Sequence, residues 1–193
     1  MPPPLVLASS SAYRRTLLDR LCIPYSAVSP STDETPRPGE SAEATALRLA
    51  EEKARAVAAM HPDAVVIGSD QVAVSAGSRL DKPGSHEIAL RQLMAVRGRS
   101  AVFHTAVCVL EASNGRLQRE NVPTTVYFRE FTTAQAERYL RQEEPYDCAG
   151  SAKIEGLGIA LVGRVESTDP TALIGLPLIA LTTMLQRAGM PVL

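Results

Sequence analysis

Ala64-Val-Val-Ile-Gly-Ser69 is the run that most constrains the fold of this chain. It is continuous, apolar and rich in β-branched residues, as a strand buried on both faces of a sheet should be. The strand is expected to end at Asp70-Gln71 and to resume over Val72–Val74. A carboxylate at the carboxyl end of a buried strand stands where open α/β sheets hold their ligands. Asp70 is therefore the leading catalytic candidate, although a strand-end Asp also commonly bonds its own loop.

The rest of the chain alternates around that strand. Leu5–Ala8 reads as a strand and Arg14–Leu21 as a helix with Leu17, Leu18 and Leu21 on one face. A short strand follows near Tyr25–Val28, then a Pro-, Ser- and Thr-rich loop over Ser29–Gly39. Ser41 to about Met60 is rich in strong helix formers and ends at His61-Pro62. Ser85 caps a helix through Arg97. Arg99–Glu111 and Arg116–Phe131 are long β-like runs on either side of Asn114-Gly115, a hairpin signal. Thr132-Thr-Ala-Gln135 matches a capping box for a helix to about Glu143. Ile159–Val165 reads as a strand, and Gly175-Leu-Pro-Leu178 leads into a last helix ending near Gly189. Strand–helix alternation with an inserted antiparallel hairpin predicts a mixed α/β fold in one domain over residues 1–193.

Charge and composition exclude several function classes. Lys and Arg together number 20 against 21 for Asp and Glu, so no general basic coat exists for a nucleic acid. Aromatic residues are 4% and Trp is absent, too few for a single-strand stacking platform. No segment has the length of a membrane span, and Met-Pro-Pro-Pro lacks the pattern of a secretory leader. A soluble cytoplasmic protein is expected, with no nucleic-acid or membrane partner. Cys22, Cys108 and Cys148 are far apart and odd in number, which predicts small buried hydrophobes in a reducing compartment. His61, His86 and His104 are isolated, which argues against a zinc site.

The polar residues that interrupt the elements are the candidate site. In Leu5-Val-Leu-Ala-Ser-Ser-Ser-Ala-Tyr-Arg-Arg15 a strand breaks into three serines and meets two arginines at a helix start. Hydroxyls, free backbone N–H groups, the helix dipole and guanidinium charge all suit a phosphate. Tyr13 is placed to cover an aromatic base. Serines at such a junction also serve simply as helix caps. Asp33 and Glu34 sit in the Pro-rich loop, within reach of a metal or a water. Lys53 lies beside the packing face of its helix, and Lys82 on a rigid Asp-Lys-Pro loop. Asp147-Cys-Ala-Gly-Ser-Ala-Lys-Ile-Glu-Gly-Leu-Gly158 is too rich in small residues for ordinary helix, and its glycines permit close backbone approach to a ligand.

Taken together, these pieces resemble the Maf family of nucleotide pyrophosphatases. The matching segments are Leu7–Arg15, Asp33-Glu34, Leu49–Ala54, Gly68-Ser-Asp-Gln71, Lys82-Pro83 and Gly175–Leu178, in the family's order and across nearly the whole chain. The resemblance implies a long central mixed sheet with flanking helices and two lobes around a cleft, similar to the inosine triphosphate pyrophosphatases. It implies hydrolysis of a nucleoside triphosphate to the monophosphate and pyrophosphate with a divalent metal, Mg or Mn. Asp70 would accept the proton or bind the metal. Ser9, Arg14, Lys53 and Lys82 would hold the phosphates, and Glu34 would assist the metal or water. A homodimer is compatible with the family, as is a nucleotide-binding role in regulating cell division.

One branch of that family, acting on 7-methylguanosine triphosphate, is the nearest match. It has an aromatic at the position of Tyr13, Asp-Gln at Asp70-Gln71, and the pattern Cys148–Ile159 with an acid at Glu155. A dTTP/UTP branch has Arg and Gln at positions 13 and 155, and a broad-specificity enzyme is the remaining alternative. Methylation at N7 makes guanine cationic, so Tyr13 gains a cation–π contribution of about 1–2 kcal/mol when desolvated. Glu155 offsets the positive charge and accepts from the guanine N1–H and amino group, while Gln71 reads another base edge. The chain departs from the branch pattern at Ala12, at Tyr13 where Trp is frequent, at Ala152, and at Asp81, an acid beside Lys82.

Overall fold

A computed structural model describes residues 3–193 as a mixed α/β fold. In chain order its elements are β1 (Leu5–Ala8), α1 (Ala12–Asp19), β2 (Ser26–Val28), α2 (Ala42–Ala58), β3 (Val65–Ser75), β4 (Ser78–Arg79) and α3 (His86–Val96). They continue with β5 (Ser100–Glu111), β6 (Arg116–Phe128), α4 (Thr133–Glu143), β7 (Val162–Ser167) and α5 (Leu178–Arg187). The strands form one seven-stranded sheet in the order β2-β1-β3-β5-β6-β7, with β4 paired to β3. β1 is parallel to both β2 and β3, whereas β3–β4 and β6–β7 are antiparallel. Among the described residues no helix is long and apolar enough to cross a membrane.

The chain divides into two compact units, the first comprising Met1–Asp70, Thr105–Val122 and Asp169–Leu193, the second Gln71–His104 and Pro123–Thr168. In the first unit, alternation along the strands sorts the core onto two faces. Leu5, Leu7, Val65, Ile67, Val107 and Val109 join Leu17 and Leu18 of α1 and Leu181, Met184 and Leu185 of α5 in one cluster. On the other face α2 packs Ala46, Leu49, Ala50, Ala54 and Val57, all buried. Gly68 is the point of closest approach: a Cβ there would collide with the Ala50 carbonyl and lie 3.0 Å from both Ala54 Cβ and Cys108 Sγ. The Cys108 thiol donates to that same carbonyl at 3.2 Å, and burial pushes it up to about 12.

In the second unit α3 and α4 pack together. Thr132 and Gln135 form the predicted capping box at the start of α4, and Ser85 caps α3. Glycine is needed at position 150, whose φ of +67° lies in the left-handed region, where a side chain would also meet Leu80 and Phe103.

Several expectations need correction. β3 does not break at Asp70-Gln71 but runs unbroken from Val65 to Ser75. Its parallel partner β1 ends at the Ala8–Gly68 pair, so Asp70 lies two residues beyond that partner although still mid-strand. α1 starts at Ala12, because Ser11 supplies the cap, and so takes in Tyr13. Leu157–Leu161 is a 3-10 turn, which delays β7 to Val162. The hairpin turn spans four residues from Ala112, with Gly115 alone at positive φ, because the Gly115 N–H returns to the Glu111 carbonyl at 2.9 Å. Of the cysteines only Cys108 is buried; Cys148 is half-buried and Cys22 exposed, in a left-handed turn just after α1.

The close approach at Gly68 yields a prediction. Gly68→Ala pushes α2 off β3 and should lower the unfolding free energy by about 3 kcal/mol, the upper part of the overpacking range. Equilibrium denaturation in urea measures it.

Candidate active site

Two adjacent residues of β3 point to opposite faces, and each reaches a different part of the first unit. Ser69 donates to the Gly175 carbonyl at 3.0 Å, on the face of α1 and α5. Asp70 turns to α2, where its Oδ1 accepts from Lys53 Nζ at 2.6 Å. Gly68, two residues earlier on the same strand face, is what lets the helix come that near. Lys53 and Asp70 are both buried, at 6% and 7% exposure, and Lys53 Nζ also meets Glu34 Oε1 at 2.5 Å. A buried ammonium is tolerated only when paired and hydrogen-bonded, and here two carboxylates face it.

Arg14 completes the cluster. Its Nε donates to the Gly175 carbonyl at 2.9 Å, the acceptor it shares with Ser69. Burial pushes the guanidinium below its ordinary range, partly offset by Asp70 and Glu34, and it remains a cation. The Gly175 turn is itself fastened by Asp169, which is 2% exposed. Its carboxylate accepts from the Thr171 and Ile179 N–H groups at 2.8 and 2.7 Å, while Thr171 Oγ1 bonds both the Leu176 carbonyl and the Leu178 N–H at 2.8 Å.

Serines at the β1–α1 junction do act as caps. Ser9 is buried and its Oγ accepts from the Ser11 N–H at 3.1 Å; Ser11 Oγ accepts from the Arg14 N–H. Accepting leaves the Ser9 O–H as a donor, so the capping and phosphate-binding readings are compatible. Tyr13 lies half-buried in the first turn of α1.

The other sequence-derived candidates belong to the second unit. Gln71 is half-buried in β3, and Lys82 is exposed on the loop after β4. Asp81 is turned to Arg79 Nε at 3.5 Å, and its backbone carbonyl accepts from Gln92 Nε2 at 2.9 Å. Glu155 is accessible to water, yet surrounding protein raises its carboxyl above the ordinary 4.5, with Glu143 and Asp147 adding to the effect and Lys153 opposing it. Its loop is clamped. Glu143 accepts from Lys153 Nζ and from the Leu157 N–H, both at 2.7 Å, and Tyr139 Oη bridges the Ser151 carbonyl and the Lys153 N–H at 3.1 and 2.9 Å. The structure thus brings Arg14, Glu34, Lys53 and Asp70 together. The roles of the Gly175 carbonyl, Asp169 and Glu143 are not evident from the sequence, although Gly175–Leu178 is one of the segments that match the family.

The family model described as Maf-like protein matches residues 4–188. The chain belongs to the Maf-like family. Named relatives include the 7-methyl-GTP pyrophosphatase of Thiobacillus denitrificans, 58% identical over 191 residues, covering 99% of this chain and 95% of the relative. The protein of that name from Ralstonia nicotianae is also 58% identical, with 99% and 98% covered, and that of Methylobacillus flagellatus 55%, with 99% and 100%. The stretch matched to the Maf-like model contains every candidate from Ser9 to Glu155 and the Gly175 turn.

The buried pair makes a sharp stability prediction for this Maf-like chain. Lys53→Met strands the Asp70 charge and should cost about 3–5 kcal/mol, of which Lys53→Met/Asp70→Asn recovers the larger part. Denaturation at neutral pH compares the two variants, and equal destabilisation of both would show that packing, not charge, dominates the site.

Proposed function

We propose that this chain hydrolyses 7-methylguanosine triphosphate to 7-methylguanosine monophosphate and pyrophosphate. The observation that carries the proposal is the buried Asp70 carboxylate beside Lys53 and Arg14, in a chain whose named relatives are 7-methyl-GTP pyrophosphatases. Water attacks the α-phosphorus, the bond to the α–β bridging oxygen breaks, and pyrophosphate leaves with that electron pair. Asp70 accepts the proton of the attacking water, held in orientation by Lys53. Lys53 and Arg14 are fixed cations that stabilise negative charge as it grows on the phosphates. Ser9 donates its O–H to a phosphate oxygen, and Lys82 supplies a further cation for the departing group.

A divalent cation such as Mg or Mn fits the donor set. Glu34 and Asp70 both meet the Lys53 ammonium, which brings two carboxylates close together beside it, and magnesium is commonly held by one or two carboxylates with substrate phosphates and water completing its shell. Among the described residues no cluster of three or more His, Cys, Asp or Glu exists, and nucleotide phosphates and water would supply the remaining ligands. Glu34 and Asp70 would hold the ion, which when bound neutralises triphosphate charge.

Base selection rests on charge. Tyr13 stacks on the methylated, cationic guanine and Glu155 offsets its positive charge, a pairing an arginine at position 13 would oppose. Gln71 reads a remaining base edge.

Pyrophosphate release measured across 7-methyl-GTP, GTP, dTTP and UTP is the direct test, and a preference for dTTP or UTP would overturn the substrate. Asp70→Asn should reduce turnover by roughly 10²–10⁴-fold while the nucleotide still binds. Tyr13→Ala should weaken the methylated substrate selectively, by about 10-fold for the stacking energy involved. Because the Glu155 carboxyl is raised, its anionic form is lost on acidification at a higher pH than for an ordinary glutamate. The preference for 7-methyl-GTP over GTP should therefore shrink as pH falls toward that value, and Glu155→Gln should abolish this pH dependence.

A further inference from the structure

Glu34 reaches Lys53 from a loop with few means of holding itself in place. The Ser29–Gly39 segment carries three prolines and is mostly exposed. Glu34 itself has a side chain 61% exposed, yet it lies 2.5 Å from the Lys53 ammonium. What fastens the loop is Arg48, one and a half turns before Lys53 on α2.

Arg48 spends its guanidinium on three partners. Nε and Nη2 grip the Glu40 carboxylate as a fork at 2.7 and 2.8 Å, and Nη1 donates to Glu52 at 3.0 Å. Nη2 also donates to the Thr35 carbonyl at 3.2 Å. The Thr35 N–H donates to Asp33 Oδ1 at 2.9 Å, so the residue directly after Glu34 is held at both its amide and its carbonyl. Glu40 in turn accepts from the Arg37 N–H at 3.2 Å and from Thr45 Oγ1 at 3.0 Å, and Arg37 Nη2 reaches Glu52 at 2.9 Å. The Arg48 and Glu40 side chains are only 12% and 11% exposed. Arg48 draws the Glu40 carboxyl down to about 2, so the pair stays ionised at any ordinary assay pH.

We propose that Arg48 is a positioning residue of the hydrolytic centre: it fixes the Asp33–Glu34 loop through the Thr35 carbonyl and Glu40, and thereby keeps Glu34 on Lys53 without itself touching substrate. The proposal rests on the assignment of Glu34 to that centre. A lysine would not replace Arg48, because one ammonium lacks the planar fork that spans a carboxylate and a carbonyl at once.

A double-mutant cycle tests this. Arg48→Met, Arg48→Lys, Glu34→Gln and Arg48→Met/Glu34→Gln are compared for kcat and KM of pyrophosphate release, with thermal melting to confirm folding. If Arg48 acts through Glu34, Arg48→Met lowers kcat by roughly 10- to 100-fold, as misplacement of a reacting group does, with KM changing little. Arg48→Lys recovers only part of the loss. On the Glu34→Gln background the same change should cost less than about threefold, since residues acting as a unit are not additive. Multiplicative losses in the double variant, or full kcat in Arg48→Met, would overturn the proposal and leave the Glu34 assignment standing. Full kcat in Glu34→Gln alone would remove that assignment, and the proposal with it. Should Arg48→Met fail to fold, Glu40→Gln replaces it in the cycle, and multiplicative losses there overturn the proposal equally.

Discussion

The Lys53 ammonium is withdrawn from water by the close approach of α2 to β3, and a charge so placed persists only where carboxylates meet it. Much of the first unit follows from that requirement. The helix packs through alanines, so its backbone can lie against Gly68, and the lysine between Ala50 and Ala54 is carried to the strand with them. Asp70 stands two residues further along the same strand face and supplies one carboxylate; Glu34 supplies the other from a loop. Removing the glycine, the lysine or either acid disturbs the same small volume, which links the stability of the fold to the proposed hydrolytic centre.

That arrangement suits phosphoryl chemistry because its charges are set before any ligand arrives. Arg14 is aimed by the Gly175 carbonyl, and the turn bearing that carbonyl is tied down by a buried aspartate and a threonine. In the second unit Glu143 and Tyr139 perform a comparable service for the loop of Glu155. Long polar side chains lose considerable freedom when they are ordered, and a scaffold that orders them in advance leaves less of that cost to nucleotide binding.

Much of the frame was legible in the sequence because it rests on local chemistry. The capping box at Thr132, the Ser85 cap, the helix over α2 and the buried strand at Val65 all follow from residue type and spacing. The interruption expected at Asp70-Gln71 failed because two polar residues do not by themselves end a strand, and β3 outlasts its pairing with β1 to meet β4 at Val74 and Ser75. The 3-10 turn at Leu157–Leu161 was hidden by an apolar run that reads equally well as strand. For the candidate site, Asp70, Glu34, Lys53 and Arg14 were picked out as separate residues, and their convergence on one point appears only in three dimensions. The parts played by the Gly175 carbonyl, Arg48 and Glu143 were not legible, since a backbone acceptor carries no sequence label and a charged helix residue normally faces solvent.

Ser69 and Asp70 serve opposite sides of one strand, the first anchoring the Gly175 turn and the second meeting Lys53. Side chains in a strand alternate with a period of two. A slip of β3 by a single residue against β1 would therefore turn the hydroxyl toward α2 and the carboxylate toward α1 and α5, taking each from its partner. Length changes in this strand between its pairing with β1 and Asp70 can thus be accommodated only in steps of two, a parity constraint independent of which apolar side chains fill the core.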